Sequence, residues 1–584
     1  MPREEQRETG RFPTTSETSR RMGRVRRSGT DLEQTVAAAL RKLGYHFRRN
    51  VRELPGTPDF AHKGMHKAIF VNGCYWHGHG GGCPDASTPR RNRKAWLEKR
   101  RRNRIRDQRK ADELRHLGFE VLTIWGCETK VPEVLLGRLE SFVEGRTAGD
   151  RSGGADGASP EREQPPESYA FDYDTGELTR RVRDGDRSVN ETRAAPVGTV
   201  DDGDFAAAFD QSWLRNEHRP EYESSASHGI VRIVDLFSGC GGMTLGVAEA
   251  GRALGLSAQV LLAADVNRDA LEIYSQNLNP ERIEDTPIQE WLDGEIGDEP
   301  SPGERNLKAT LGKVDVLLGG PPCQGHSNLN NHTRRNDQRN ELYTRMARFA
   351  EIFRPTHIIV ENVPGVVYDR NGVFLRTVKA LERLQYRTDF GVVRAEDLGV
   401  PQTRHRVFLV ASLHRTPRLE EWLRAHAVPR RSFDWACSDI PSASSNGAVD
   451  QATTPWPVTR ARIDYLFDHD LYELPDDERP DCHRLKDHSY VSVYGRIRDW
   501  LPAPTITTGF TVMGQGRFVH PYLRRTLTPR EGARLQFFPA WFDFGDRQRS
   551  TYLKVVGNAV PPKMVYPLAM ELLRATDDDS APTE

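Results

Sequence analysis

Residues 230–242 read IVRIVDLFSGCGG. A β-rich run, Val231–Phe237, ends abruptly in Ser238-Gly239-Cys240-Gly241-Gly242, and a helical pattern follows. Glycines at a strand-to-helix turn let the backbone approach a ligand and aim first-turn amides at it. Outward from this stretch the alternation repeats: QVLLAAD ends at Asp265, VDVLLGG at Gly320, HIIVEN at Asn362 and RVFLVAS at Ser412, with helical patterns between. Strands alternating with helices predict an α/β fold, here a Rossmann-like, doubly wound parallel sheet.

Such sheets place their chemistry at the carboxyl ends of the strands. Asp265 closes the second strand 23 residues after Gly242, where a carboxylate can accept ribose hydroxyls. The glycine turn and Asp265 together predict a nucleoside-containing cofactor. The third strand runs into Pro321-Pro322-Cys323-Gln324-Gly325, and the prolines keep the backbone before the thiol extended. Cys323 is either a nucleophile or a buried core cysteine. Glu361 puts a carboxylate on the same edge, and Gln402-x-Arg404-x-Arg406 opens the last strand with two arginines on one face.

In order, DLFSGCGG, GGPPCQG, ENVPG, QTRHR, RTLTPREGARLQFFP and VGNAVPP resemble the motifs of cytosine-5 DNA methyltransferases over about residues 230–575. The resemblance implies S-adenosylmethionine as cofactor and duplex DNA as partner. It makes Cys323 the nucleophile at carbon 6 of the ring, which activates carbon 5. Glu361 would protonate or hydrogen-bond N3, while Arg404 and Arg406 would contact the cytosine carbonyl and hold the site together. Phe237, Gly239, Asp265 and Asn558 would line the methyl-donor site, with Asp285 as a further acidic candidate. The target base must be flipped out of the duplex. His326 stands where the family usually has Phe. Residues 413–503 fall where a small target-recognition region is expected. There His488, Tyr490, Tyr494 and Arg496 either read bases or fill a small core.

Toward the amino end, apolar positions at helical spacing from Asp31 to Leu43 predict a helix. Residues 67–73 and 119–125 read as strands, and 93–117 as a long helix. Between Arg90 and Lys110, twelve Arg or Lys stand against Glu98 and Asp107, a local net of +10. That charge fits either a phosphate backbone or a solvated helix face. Cys74, His79, Cys83 and Cys127 make a possible zinc set. Asp59, at a turn entering a strand, is a candidate Mg²⁺ ligand.

LPGTPDF, IFVNGCYWHGH, WLEK with RDQRK, and VLTIWGCE resemble the very short patch repair endonucleases, a zinc-containing branch of the restriction-endonuclease-like fold, from about Met22 to Thr129. By that resemblance Asp59 would hold Mg²⁺ and His77 would assist the attacking water. Asp107 would orient His77, and Glu33 would complete the site. Cys74, His79, Cys83 and Cys127 would bind zinc, and Met22, Tyr75 and Trp76 would wedge into the stack beside a T·G mismatch. Asn72 stands where the family usually has His, and the glycine-rich segment between His79 and Cys83 is longer than usual.

These readings divide the chain into a disordered basic arm (1–28), an endonuclease-like domain (29–145) and a largely disordered linker (146–228). The linker is given one short ordered patch near Phe205–Trp213. A cofactor-binding domain (229–412), the target-recognition region (413–503), returning helices (504–575) and a tail (576–584) follow. Formal charge is zero, with 83 basic and 83 acidic side chains, and mean hydropathy is −0.67. No apolar run approaches the roughly 18 residues that span a bilayer, and no secretory signal opens the sequence. Seven cysteines suit a reducing compartment. The expectation is a cytoplasmic monomer, with mismatch-repair proteins as candidate protein partners. One chain would methylate cytosine and begin repair of the T·G pair left by deamination. The alternatives are a restriction–modification fusion, or a degenerate nuclease acting as a DNA clamp.

Overall fold

The computed structural model describes residues 30–51, 53–74, 119–126, 167–185, 187–196, 204–222, 228–322, 342–368, 372–440, 447–484 and 493–574, with isolated positions at 110, 114, 129 and within 135–143. The chain forms two compact units, Met1–Glu161 and Arg162–Glu584.

The first unit opens with helix α1 (Asp31–Lys42), started by a capping box in which Thr30 and Glu33 exchange side-chain and backbone hydrogen bonds. Strands β1 (Arg48–Arg49), β2 (Phe60–His62), β3 (Lys67–Asn72) and β4 (Glu120–Trp125) form one sheet in that order. Only β3 and β4 pair in parallel. Val36 and Leu40 of α1 pack with Phe60, Ile69 and Ile124. The helix and two strands expected from the sequence are therefore present.

Residues 167–194 form a sheet where a linker is expected, while the ordered patch expected near Phe205–Trp213 is a helix. Strands β5 (Glu167–Asp172), β6 (Glu177–Asp184) and β7 (Arg187–Ala194) make an antiparallel meander, followed by α2 (Phe205–Arg215). The inner face of β6 carries Leu178, Arg180 and Val182, all buried. Arg180 pairs with Glu191 at 2.6 Å and lies 5.0 Å over the Phe209 ring, and Arg252 reaches Glu191 at 2.9 Å. Paired charges occupy inward positions where a hydropathy reading looks for apolar residues.

The main sheet follows. It uses β8 (Ile230–Leu236), β9 (Ser257–Ala264), β10 (Ile283–Glu284), β11 (Val316–Gly319), β12 (His357–Asn362), β13 (Arg387–Arg394) and β15 (His405–Ser412), with the short β14 (Gln402–Thr403) pairing elsewhere. The order is β10-β9-β8-β11-β12-β15-β13. Helices α3 (Gly242–Ala253), α4 (Arg268–Leu278), α5 (Pro302–Leu311), α6 (Thr344–Phe353) and α7 (Val373–Arg383) connect the strands. Ile233, Leu318 and Ile359 join one core, while Val234, Leu317 and Ile358 join the other. Alternate residues thus bury both faces, as a doubly wound sheet requires. The sheet is not wholly parallel, since β15 runs antiparallel to both β12 and β13.

Beyond β15 come α8 (Leu419–Ala425), α9 (Phe433–Cys437), α10 (Pro457–Asp468), β16 (Ala503–Pro504), α11 (Pro529–Leu535), α12 (Arg549–Asn558) and α13 (Pro562–Leu573). The target-recognition boundaries of 413–503 do not coincide with a separate core. Leu419, Phe433 and Cys437 pack in the main core. A small cluster of Ile463, Leu466, Leu474, Met513 and Val519 forms its own. Among the described residues no helix is long and apolar enough to cross a membrane.

Candidate active site

The glycine turn after β8 is conformationally demanding. Phe237 has φ 58°, and Gly239 and Gly241 have φ 53° and 90°. A β-carbon on Gly242 would sit 2.1 Å from the Val560 carbonyl oxygen, and one on Gly246 would sit 2.5 Å from that of Pro562. The approach of α13 to α3 therefore requires glycine at both places. At Gly239 a β-carbon would meet nothing within 4 Å, so that turn faces open space.

Asp265 follows β9 directly. Its Oδ2 accepts the Gly239 amide at 2.9 Å and its Oδ1 accepts that of Asn267 at 2.8 Å. Burial raises this carboxyl above its ordinary range, against those two hydrogen bonds. Each oxygen can take a second donor, as ribose hydroxyls would supply. The neighbouring Val266 is 68% exposed and offers an apolar surface. An open glycine turn, a carboxylate and an exposed apolar side chain together fit a nucleoside-bearing cofactor. Asn558 ends α12 two residues before Val560. Asp285 is held by Arg268, whose Nε donates at 2.8 Å.

On the next strand, Gly320, Pro321 and Pro322 lead out of β11, and Cys323 and His326 lie outside the described residues. Asn362 Nδ2 donates to the Pro321 carbonyl at 3.1 Å, so the end of β12 fixes the chain just before the cysteine. Glu361 is 8% exposed, and its Oε2 would lie 3.8 Å from a β-carbon on Gly320. Its Oε1 pairs with Arg406 Nε at 2.9 Å. Because β15 runs antiparallel, its amino end reaches the carboxyl edge of the parallel strands, which is why Arg406 meets Glu361 there. Arg404 lies in the break between β14 and β15 and donates from Nη1 to the Ile506 carbonyl at 3.1 Å.

Asp235 is a residue that motif reading passed over. It is 1% exposed and its Oδ2 accepts the Thr244 hydroxyl at 2.7 Å, while Tyr274 donates to that hydroxyl at 2.8 Å. Burial pushes its carboxyl up to about 7. A lone carboxylate in an apolar strand was the available signal. In the small cluster, Arg496 lies 4.4 Å over Tyr472 and 4.8 Å over Phe467, and Tyr494 packs beside it. Arg496 is buried there and Tyr494 is half-buried. His488 and Tyr490 lie outside the described residues.

A model of the C-5 cytosine-specific DNA methylases matches residues 231–574, more than half of the chain. The chain belongs to this family. Type II methyltransferase M1.BsuMI of Bacillus subtilis is 43% identical over 406 residues, covering 69% of this chain and 95% of that one. Type II methyltransferase M.DdeI of Desulfomicrobium norvegicum is 29% identical over 385 residues, covering 58% and 88%. A likeness over 69% of this chain is longer than residues 231–584, so it reaches back into the 167–222 module.

The model of the DNA mismatch endonuclease Vsr matches residues 12–82. In that unit the Asp59 Oδ2 accepts the Val71 amide at 2.7 Å, and the Glu33 Oε1 accepts the Thr30 hydroxyl at 2.8 Å. Cys74 is buried just after β3. A β-carbon on Gly126, the residue before Cys127, would lie 3.7 Å from the Cys74 amide nitrogen. Met22, Tyr75, Trp76, His77, His79, Cys83, Asp107 and Cys127 lie outside the described residues. Among the described residues no cluster of three or more His, Cys, Asp or Glu could hold a metal.

Proposed function

We propose that residues 229–574 methylate carbon 5 of a cytosine within a specific duplex sequence, with Cys323 as nucleophile. The observation that carries this reading is Glu361, paired with Arg406 and set against Gly320 three residues before Cys323. S-adenosylmethionine, when bound, supplies the electrophilic methyl group. The Cys323 thiolate adds to carbon 6 of the flipped base and turns carbon 5 into a nucleophile. Glu361, in its protonated form, donates to N3 and so stabilises the negative charge developing on the ring, with Arg406 fixing its orientation. Arg404 contacts the cytosine carbonyl. Once carbon 5 has taken the methyl group, loss of its proton to water and expulsion of the Cys323 thiolate restore the ring. Gly239, Phe237 and Asp265 on one side and Asn558 on the other hold the cofactor.

Cys323→Ser tests this, because a hydroxyl is a far weaker nucleophile than a thiolate. Transfer of labelled methyl groups should vanish while cofactor affinity stays within about twofold of wild type, since the residue touches the base. Wild-type turnover in the variant would overturn the covalent route.

The N-terminal unit, in this reading, nicks DNA beside a T·G mismatch within the methylated sequence. The match to mismatch endonucleases supports it. Asp59 is partly exposed and would hold Mg²⁺, with His77, Asp107 and Glu33 completing the site. Cys74, His79, Cys83 and Cys127 would hold zinc, which the approach of Gly126 to Cys74 favours. The similarity to chains named type II methyltransferases favours a second reading, cleavage of the unmethylated paired site.

A further inference from the structure

Two glutamines outside the reactive set, Gln402 and Gln536, are fully buried. A buried carboxamide left unmatched costs roughly 1–3 kcal/mol, so the partners of each atom matter. Gln402 Nε2 donates to the Leu535 carbonyl at 2.8 Å and to Gln536 Oε1 at 2.7 Å. Its Oε1 accepts the Ile506 amide at 3.1 Å. Gln536 Nε2 donates to the carbonyls of Val556 at 2.6 Å and Ala559 at 3.2 Å. Every donor hydrogen of both amides is used.

These bonds tie β14, the chain at 506, the end of α11 and the end of α12 into one knot. Residues of the site stand at two of its corners. Arg404 donates to the Ile506 carbonyl. Asn558 lies between Val556 and Ala559, the two residues whose carbonyls Gln536 holds. A β-carbon on Gly557 would lie 2.3 Å from the Thr508 amide nitrogen, so the two backbones touch and a shift in one displaces the other.

We propose that Gln402 and Gln536 act as a paired positioning device that sets Arg404 for the base and Asn558 for the cofactor together. This rests on the base and cofactor assignments above. A carboxylate at 536 would face the Val556 and Ala559 carbonyls and repel both. The pair itself need touch neither base nor cofactor. Its effect on the reaction is carried by the backbone.

The test is a double-mutant cycle in the full chain: Gln402→Met, Gln536→Met and both. Each variant is read as KM for S-adenosylmethionine, kcat on duplex DNA and melting temperature. Each single change should raise that KM and lower kcat by about tenfold, with the double no worse than the poorer single, as for residues that act as a unit. Kinetics within about twofold of wild type with only a lowered melting temperature would overturn the proposal, as would losses that multiply in the double. Should the methionine variants fail to fold, Gln536→Glu decides. Its cofactor affinity should improve as pH falls, because the protonated acid again donates. A wild-type pH profile would overturn the proposal. A wild-type chain that methylates nothing would instead overturn the assignments beneath it.

Discussion

Carboxylates at the carboxyl edge of the main sheet differ in how they are held. Glu361 has a guanidinium at 2.9 Å, whereas Asp235 has only a hydroxyl and buried surroundings. Asp235 is therefore driven toward its neutral form, with its carboxyl at about 7 against 3.8 ordinarily. The folded chain keeps this proton over a range in which the unfolded chain has lost it. Stability is thus lost as pH rises between about 4 and about 7, at up to about 1.4 kcal/mol per pH unit from this group. Asp235→Asn should flatten the curve of unfolding free energy against pH across that window. Denaturant titrations at pH 5 and pH 7.5 measure it, and an unchanged slope would remove Asp235 as the cause. Glu531 acts oppositely: the Arg525 and His520 side chains help hold it down to about 2 despite burial, so its stabilisation is lost in acid.

At the scale of elements, the apolar strands were legible because both sheet faces are buried, and runs such as QVLLAAD then read as strands whatever surrounds them. The direction of β15 was not legible, since a buried run carries no mark of its polarity. The meander of β5 to β7 was missed for a different reason. Its inner face spends three positions, Arg180, Glu191 and Arg193, on mutual ion pairs, and Tyr566 of α13 accepts from Arg180 at 2.8 Å. Pairing of this kind depends on partners far along the chain. Motif reading singled out Glu361 and Asp265, whose residue types suit the chemistry, but gave no role to Asn362, Gln402 or Gln536, which hold backbone and, for the two glutamines, each other.

Since α13 and the turn before it press on α3 at Gly246 and Gly242, and Arg180 holds Tyr566 of α13, the meander braces the packing beside the glycine turn. Arg180→Met should lower stability by about 1–3 kcal/mol, because it leaves the buried Tyr566 oxygen without its donor and removes one of the three guanidinium groups on Glu191. A fragment starting at residue 162 should methylate like the full chain, whereas one starting at 229 should unfold at lower denaturant and lose activity. Equal midpoints for the two fragments would show that the meander is ornament to the methylase.

The whole molecule joins two compact units for which separate chemistry is proposed. With Mg²⁺ the full chain should nick one strand of a T·G duplex and cut the fully paired site poorly, because wedging Tyr75 and Trp76 into a sound stack is costly. Asp59→Ala should abolish nicking by removing a metal ligand and leave methylation unchanged. Double-strand cleavage of the paired site, blocked by prior methylation, would establish the restriction reading instead. The methylase is proposed to make 5-methylcytosine through Cys323. Bisulfite sequencing of DNA from cells expressing the wild-type chain or Cys323→Ser tests it most directly. Cytosines should be protected in one sequence context with the wild type and none with the variant. Protection that survives Cys323→Ser, or none with the wild type, would contradict it.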